Sequence, residues 1–322
     1  MTDVARFTLD HVMLSRVAAI AERLGQWKQS NHPGLVPLRR RGNRIRTIQA
    51  SLAIEQNSLS VEQVTAIIEG KPVLGMPREI QEVRNAFAAY EAMPGWDPSR
   101  QEDLLTAHGL LMSGLVEDAG HLRRGGVGIY RGEKLVHMAP PASQLPRLMD
   151  ELLGWLATAN VHPLLASCVV HYELEFIHPF SDGNGRIGRL WQTLILSRWQ
   201  PLLAYLPVET VIRGRQDEYY RRLGESDAAG ECGGFVRFLL EVIDDALQQA
   251  IEAETPVETP VQLPERILAV LRERPTMSLV ELAAELGKST SAVERAARKL
   301  REAGHLRFVG PKKAGRWEVV GK

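Results

Sequence analysis

Apolar residues recur at three- and four-residue intervals through most of the first 254 positions, interrupted by proline and glycine. That pattern predicts a succession of helices separated by short breaks. A hydroxyl residue followed three places later by Glu or Gln opens two of them: Ser60 with Gln63 ahead of Val64 to Ile68, and Ser99 with Glu102 ahead of Leu104 to Leu115. Gly70 closes the former. Further helices are predicted over about Pro77 to Tyr90, Pro146 to Leu156, Pro163 to Phe176, Arg186 to Trp199 and Phe235 to Glu254. Gly125 to Met138 departs from the rule, because Val127, Ile129, Leu135 and Val136 flank Tyr130-Arg131-Gly132-Glu133 as in a β-hairpin. Ile45 to Asn57 is helical in spacing. At about 100° per residue, Ile45, Ile48 and Leu52 form one stripe, with Ser51 and Glu55 along its edge, so Glu55 is expected to be partly covered.

Between Glu254 and Pro264 three prolines and the loss of helical period mark an extended linker. Beyond it, Ile267 to Leu271, Leu279 to Leu286 and Val293 to Leu300 predict three short amphipathic helices. A basic turn, Gly310 to Arg316, then separates Leu306-Arg-Phe-Val309 from Trp317-Glu-Val-Val320. This arrangement looks like a winged helix-turn-helix, with Ser289 to Ala303 as its recognition helix. The expected organisation is a helical region over 1–95 carrying the helix at about 42–57, a core over 96–254, a linker over 255–264 and the small module over 265–322.

Composition changes this picture in only a few respects. A chain of 322 residues exceeds what one core usually organises. Lys plus Arg and Asp plus Glu number 39 each, so no charge excess draws the whole chain to nucleic acid or membrane. Residues 265–322, however, hold thirteen basic and seven acidic side chains, a net charge of +6 concentrated in the small module. That suits phosphate contacts with DNA, while winged helices also serve as docking or dimerisation modules. Two cysteines, Cys168 and Cys232, match no metal or redox spacing and imply a reducing cytoplasm. Neither a basic, then apolar, leader nor a membrane-length apolar run is present, so the expectation is a cytoplasmic protein without a membrane partner.

The residues best suited to chemistry lie in Ile177-His-Pro-Phe-Ser-Asp-Gly-Asn-Gly-Arg-Ile-Gly-Arg-Leu190. Pro179, Gly183 and Gly185 forbid a continuous helix, and helical spacing resumes at Arg186. A loop feeding a helix N-terminus offers unpaired backbone N–H groups and partial positive charge, and glycine lets an anion approach them. Arg186 and Arg189 share one helix face and suit bidentate contacts to phosphate. Asp182 supplies an oxygen where Mg²⁺ would bridge protein and nucleotide. With an ordinary pKa of about 6.5, His178 is suited to accept a hydroxyl proton near neutrality.

This stretch matches H-x-F-x-(D/E)-G-N-G-R-x-x-R at His178, Phe180, Asp182, Gly183, Asn184, Gly185, Arg186 and Arg189, and through it the chain resembles the Fic (Fic/Doc) family. Leu104 to Leu115, Ala119-Gly-His-Leu-Arg123 and His171 to Ile177 look like the family's helices around the active site. The resemblance implies a mainly α fold: a Fic-type helical bundle with a small hairpin flap, followed here by the winged helix-turn-helix. It implies a protein adenylyltransferase that moves AMP from ATP to a hydroxyl of a target protein. His178 would be the base, Asp182 the Mg²⁺ ligand, Gly183, Asn184 and Gly185 the anion hole, and Arg186 and Arg189 the triphosphate contacts. Phe180 would hold the loop by packing. The hairpin, followed by Ala139-Pro-Pro141, falls at the family's flap, which holds a target segment by strand addition. Arg213 to Arg222 resembles the segment near the adenine and brings in Tyr219 or Tyr220, although adjacent helical tyrosines often divide between core and surface.

The resemblance also reaches Ser51 to Glu55, which fits the family's inhibitory motif (S/T)-x-x-x-E-(G/N), with Gln56 in the last position and Asn57 one place later. Glu55 would then pair with Arg189 and displace the γ-phosphate; the alternative is a solvated glutamate on a helix flank. Two other functions stay open: Fic-fold transfer of another phosphate-linked group, and a nucleotide-sensing transcription regulator. Implied partners are ATP with Mg²⁺, a target protein or the chain itself, DNA through residues 265–322, and a second copy of the chain.

Overall fold

The computed structural model describes residues 7–30, 36–131, 134–254, 263–311 and 315–319. The hairpin tip at 132–133, most of the expected linker (255–262) and the centre of the basic turn (312–314) lie outside the described residues. The chain divides into two compact units, Met1–Glu254 and Thr255–Lys322. None of the described helices is long and apolar enough to cross a membrane.

The first unit is mainly α. Its helices are α1 (His11–Ser30), α2 (Val36–Ile54), α3 (Val61–Ile68), α4 (Pro77–Ala92), α5 (Gln101–Leu111), α6 (Leu145–Thr158), α7 (Pro163–Ile177), α8 (Asn184–Trp199), α9 (Val208–Gly214), α10 (Gln216–Ala229) and α11 (Gly233–Glu254). Between α5 and α6, β1 (Gly128–Arg131) and β2 (Lys134–Met138) pair antiparallel, with Gly128 opposite Met138 and a register shift between Ile129 and Tyr130. Near the centre, α7 and α8 are buried on nearly every side; α7 is mostly apolar all round, whereas α8 also buries the polar Asn184, Arg186, Arg189, Gln192 and Thr193. Val170 and Leu174 of α7 join one core cluster with α2, α3, α4, α5, α6 and α8, while Leu165, Cys168 and Val169 join a second with α1, α9 and α11. The N-terminal helices therefore share their cores with the part that follows. Ile45, Ile48 and Leu52 form the expected buried stripe of α2.

The box at Ser60 forms in full, with Ser60 Oγ and Gln63 each bonded to the other's backbone. The expected box at Ser99 does not. Ser99 Oγ donates to Asp97 Oδ1 at 2.7 Å inside the preceding turn, and α5 begins at Gln101 with Arg100 at its N-cap. That helix also ends at Leu111 rather than Leu115.

The second unit contains α12 (Leu263–Glu273), α13 (Leu279–Glu285), α14 (Thr290–Glu302) and an antiparallel pair, β3 (Leu306–Val309) with β4 (Arg316–Val319). Ile267, Leu271, Leu282, Val293, Ala297, Leu300, Leu306 and Trp317 form its core. Arg295, Arg298, Lys299 and Arg301 lie exposed along α14.

Candidate functional site

The site is built where α7 stops and α8 starts. His178 closes α7 in the left-handed conformation (φ 50°, ψ 60°), its N–H donating to Leu174 O at 3.0 Å. Pro179 then prevents continuation of the helix. His178 Nδ1 lies 3.3 Å from Glu175 O, so Nδ1 carries the proton and the lone pair is on Nε2. Two residues on, Phe180 is fully buried and stacks on His108 with centroids 3.6 Å apart. His108 Nδ1 accepts from Gly120 N–H at 3.0 Å, which leaves Nε2–H to donate to Asp182 O at 2.9 Å. Burial lowers its pKa to about 4, so it stays neutral at pH 7.

Asn184 staples the loop. Its Oδ1 accepts from Phe180 N–H at 2.9 Å and its Nδ2 donates to Phe180 O at 3.0 Å, with the residue 2% exposed. Both ends of that amide thus bond the loop, and the backbone of the helix start is what remains for the expected anion hole. Ile187 N–H is the first in α8 to reach back, to Gly183 O at 3.0 Å, so the amides of Asn184, Gly185 and Arg186 precede the helical ladder. Gly183 is left-handed (φ 83°), and a Cβ there would meet Met112 Sδ at 2.6 Å. At Gly185 a Cβ would come within 2.5 Å of Glu55 Oε1, a measure of how closely that carboxylate lies over the loop.

Charge is balanced locally. Asp182 Oδ1 accepts from Gly183 N–H at 2.6 Å and from Arg186 Nη2 at 3.1 Å, while Oδ2 accepts from Arg78 Nη2 of α4 at 3.3 Å. Arg186, 5% exposed, also donates to Glu82 of α4 at 3.3 Å. Arg189, 1% exposed, donates through Nε to Ser51 Oγ and through Nη2 to Ser51 O, both at 3.0 Å, and through Nη2 to Glu55 Oε1 at 2.7 Å. Arg78, Glu82, His108 and Glu175, which lie outside the motif, join these contacts with no local sequence signal that marks them.

Gln56 explains how Glu55 is aimed. It is left-handed (φ 68°), Asn57 N–H reaches Leu52 O at 3.1 Å and Gln56 N–H reaches Ala53 O at 3.1 Å, the pattern of a Schellman helix end. Such an end favours Gly or Asn at the left-handed position, which gives the physical sense of the motif's last letter. Asn57 turns inward and donates to Glu82 Oε2 at 2.9 Å.

Residues 98–196 match the family model described as Fic/DOC family, and residues 263–306 match winged helix-turn-helix DNA-binding. A crystal structure of a Fic family protein from Desulfovibrio desulfuricans G20 is 49% identical, covers 99% of this chain and 98% of its own, and superposes with a TM-score of 0.76. The chain belongs to the Fic family. Protein adenylyltransferase Fic of Culex quinquefasciatus is 30% identical over 215 residues, 63% of this chain and 41% of the relative. Protein adenylyltransferase fic-1 of Caenorhabditis elegans is 31% identical over 215 residues, 62% of this chain and 40% of the relative. This Fic chain thus spans about two-fifths of the length of these curated relatives.

Behind the Fic loop lies a buried polar chain. Glu175 Oε1 accepts from Tyr219 OH at 3.2 Å, Tyr219 OH lies 2.9 Å from His171 Nε2, and His171 Nδ1 lies 2.8 Å from Gln192 Oε1. Burial pushes the Glu175 carboxyl up to about 7, with nearby Arg189 pulling it down and Glu55 pushing it up. This corrects the expectation for Tyr219, which is 1% exposed and enclosed by His171, Phe235 and Phe238, leaving no face for an adenine. Tyr220, 38% exposed, stands edge-on to it at the surface.

Proposed function

We propose that this chain is a protein adenylyltransferase that transfers AMP from ATP to a serine, threonine or tyrosine hydroxyl, restrained by Glu55. The observation that carries the reading is the grip of Ser51 and Glu55 on Arg189, inside a loop that retains every defined position of the Fic motif. His178 Nε2 takes the proton of the target hydroxyl, whose oxygen bonds to the α-phosphorus as the bond to the pyrophosphate oxygen breaks. The first amides of α8, with Arg186 and Arg189, hold the phosphate oxygens and stabilise the charge that develops on them. Tyr220 is the tyrosine accessible to the adenine.

Asp182 is the residue that would hold Mg²⁺. Its carboxylate is 44% exposed in side-chain terms, and the described residues contain no group of three or more His, Cys, Asp or Glu that could hold a metal. One protein carboxylate with nucleotide phosphates supplying the rest suits Mg²⁺, and the ion would neutralise charge on the phosphate oxygens.

Intact-mass analysis of the purified chain with ATP and Mg²⁺ tests the reading. Self-modification by one AMP mass is expected to be faster in Glu55→Gly and absent in His178→Ala. Gain of a phosphate mass instead would replace AMP transfer with phosphate transfer, and no gain in Glu55→Gly would sink the transferase reading.

For the second unit, the exposed Arg295, Arg298, Lys299 and Arg301 of α14, together with the winged helix-turn-helix match, favour contact with DNA phosphates. Binding is expected to fall steeply between 50 and 200 mM salt, as ion release requires. No mobility shift at low salt would favour docking or dimerisation.

A further inference from the structure

Arg123 is 4% exposed, and among the described residues its guanidinium bonds to backbone carbonyls alone. Nε donates to His178 O at 2.7 Å, Nη1 to Gly125 O at 2.6 Å, and Nη2 to Pro140 O at 2.6 Å and to Ile177 O at 3.3 Å. Its own backbone N–H donates to Pro179 O at 3.0 Å. These five carbonyls belong to the loop around His178 and to the two ends of the β1–β2 hairpin, which Ala139 N–H closes through Val127 O at 3.1 Å.

A guanidinium is flat and rigid, and its N–H groups point in fixed directions. Carbonyls held by one such group are fixed relative to one another, whereas a lysine ammonium on a flexible stem holds fewer and less exactingly. His178 needs this restraint, because a left-handed residue other than glycine persists only where its surroundings impose it. The cation also faces the carbonyl end of α7, where the helix dipole favours positive charge. No carboxylate among the described residues pairs with this guanidinium, and desolvating one on carbonyls alone is costly for the fold. What the arrangement gains is a set distance between the hairpin and the imidazole.

We propose that Arg123 is a positioning residue for AMP transfer: it locks the hairpin and His178 into one frame, so that a target segment added to the hairpin edge presents its hydroxyl at His178 Nε2. The proposal rests on the adenylyltransferase reading. Misplacement by about 1 Å between reacting groups lowers a rate by about 100-fold while leaving binding of the other substrate intact. Arg123 touches no group expected to contact ATP, so its effect falls on turnover and not on nucleotide affinity.

The test uses the full chain carrying Glu55→Gly, with Arg123→Lys or Arg123→Met added. Initial rates of AMP incorporation are measured against ATP concentration, affinity for a non-hydrolysable ATP analogue by calorimetry, and the His178 imidazole by nitrogen-15 NMR. Expected results are analogue affinity within about twofold of the parent, a saturating rate lower by about 100-fold in Arg123→Met and by less in Arg123→Lys, and shifted His178 ring resonances in both. Should Arg123→Met fail to fold, Arg123→Lys carries the comparison. A parental saturating rate and parental His178 resonances in Arg123→Lys would overturn the proposal alone, as would equal losses of rate and analogue affinity. A Glu55→Gly parent that transfers no AMP would remove the adenylyltransferase reading and the proposal with it.

Discussion

Replacing Glu55 by Gln is expected to destabilise the first unit, and by more at pH 6 than at pH 8. Arg189 is 1% exposed while the Glu55 side chain is 31% exposed, so their 2.7 Å pair lies between two known limits. Breaking a fully buried pair costs about 3–5 kcal/mol, and an exposed one about 0–1 kcal/mol. With Ser51 Oγ and Ser51 O still accepting from the guanidinium, and an amide oxygen in place of the carboxylate, the loss is about 2 kcal/mol. In a unit of this size that corresponds to a fall of about 4–8 °C in Tm. The pH dependence comes from Glu175, whose carboxyl is pushed up to about 7 by burial. Removing Glu55 takes away one of the charges that hold the Glu175 carboxyl up, so in the variant that carboxyl ionises more readily and takes over part of the neutralisation of Arg189, more at pH 8 than at pH 6. ATP should restore what was lost, since a ligand at 100 times its Kd adds about 2.7 kcal/mol. Thermal unfolding of wild type and Glu55→Gln at both pH values, with and without a non-hydrolysable ATP analogue, reads all of this. A Tm cost equal or larger at pH 8, or an analogue that stabilises wild type as much as the variant, would refute the reasoning.

Gln56→Gly should stabilise the first unit by about 1 kcal/mol, because glycine occupies the left-handed C′ position without the Cβ clash; urea melts showing a loss instead would contradict the Schellman reading. Glu175→Gln should remove a pH dependence. A carboxyl raised from 4.5 to about 7 contributes stability that is fully present below about 4.5 and lost as pH rises through about 7, a difference of about 3 kcal/mol. The variant is therefore expected to gain on wild type between pH 5 and pH 8 in denaturant titrations, and a constant difference would locate the proton elsewhere. Tyr220→Ala should weaken nucleotide affinity without lowering Tm, whereas Tyr219→Phe should lower Tm through loss of the bond to Glu175 and leave affinity alone; the reverse pattern in calorimetry and melting would exchange their roles.

Much of the site was legible because its reacting groups are contiguous: His178 to Arg189 is one loop and one helical turn, so residue type and spacing suffice. Glu55 stood out for a different reason, the resemblance of Ser51 to Glu55 to the family's inhibitory motif, while the buried stripe at Ile45, Ile48 and Leu52 predicted only that it is partly covered. The supports of the loop were not legible. Arg123 reaches His178 across 55 positions, His108 reaches Asp182 across 74 and Glu82 reaches Arg186 across 104, and no local pattern distinguishes such residues from ordinary helix-flank or turn residues. Ser99 shows the converse failure. Its spacing to Glu102 satisfies the capping pattern, but Asp97 captures the hydroxyl first and the helix starts two residues later.

Each arginine of the loop is paired with a carboxylate from an N-terminal helix: Arg189 with Glu55 after α2, and Arg186 with Glu82 on α4. Asn57 ties the two pairs together, since it follows the Schellman end of α2 and donates to Glu82. How such a grip is released follows from what holds α2. Ile45, Ile48, Leu52 and Ile54 are all at most 7% exposed, and burying each is worth about 1.5–3 kcal/mol. Undocking the helix would therefore cost about 6–12 kcal/mol, which is comparable to the whole stability of a domain. Glu55, by contrast, lies beyond the last helical residue and is nearly one-third exposed in side-chain terms, so rotation about its own side-chain bonds would suffice to take its carboxylate off Arg189. The proposed competition between carboxylate and phosphate for Arg189 would thus need no movement of α2, and substitution of Glu55, not removal of the helix, would isolate that competition from loss of the core.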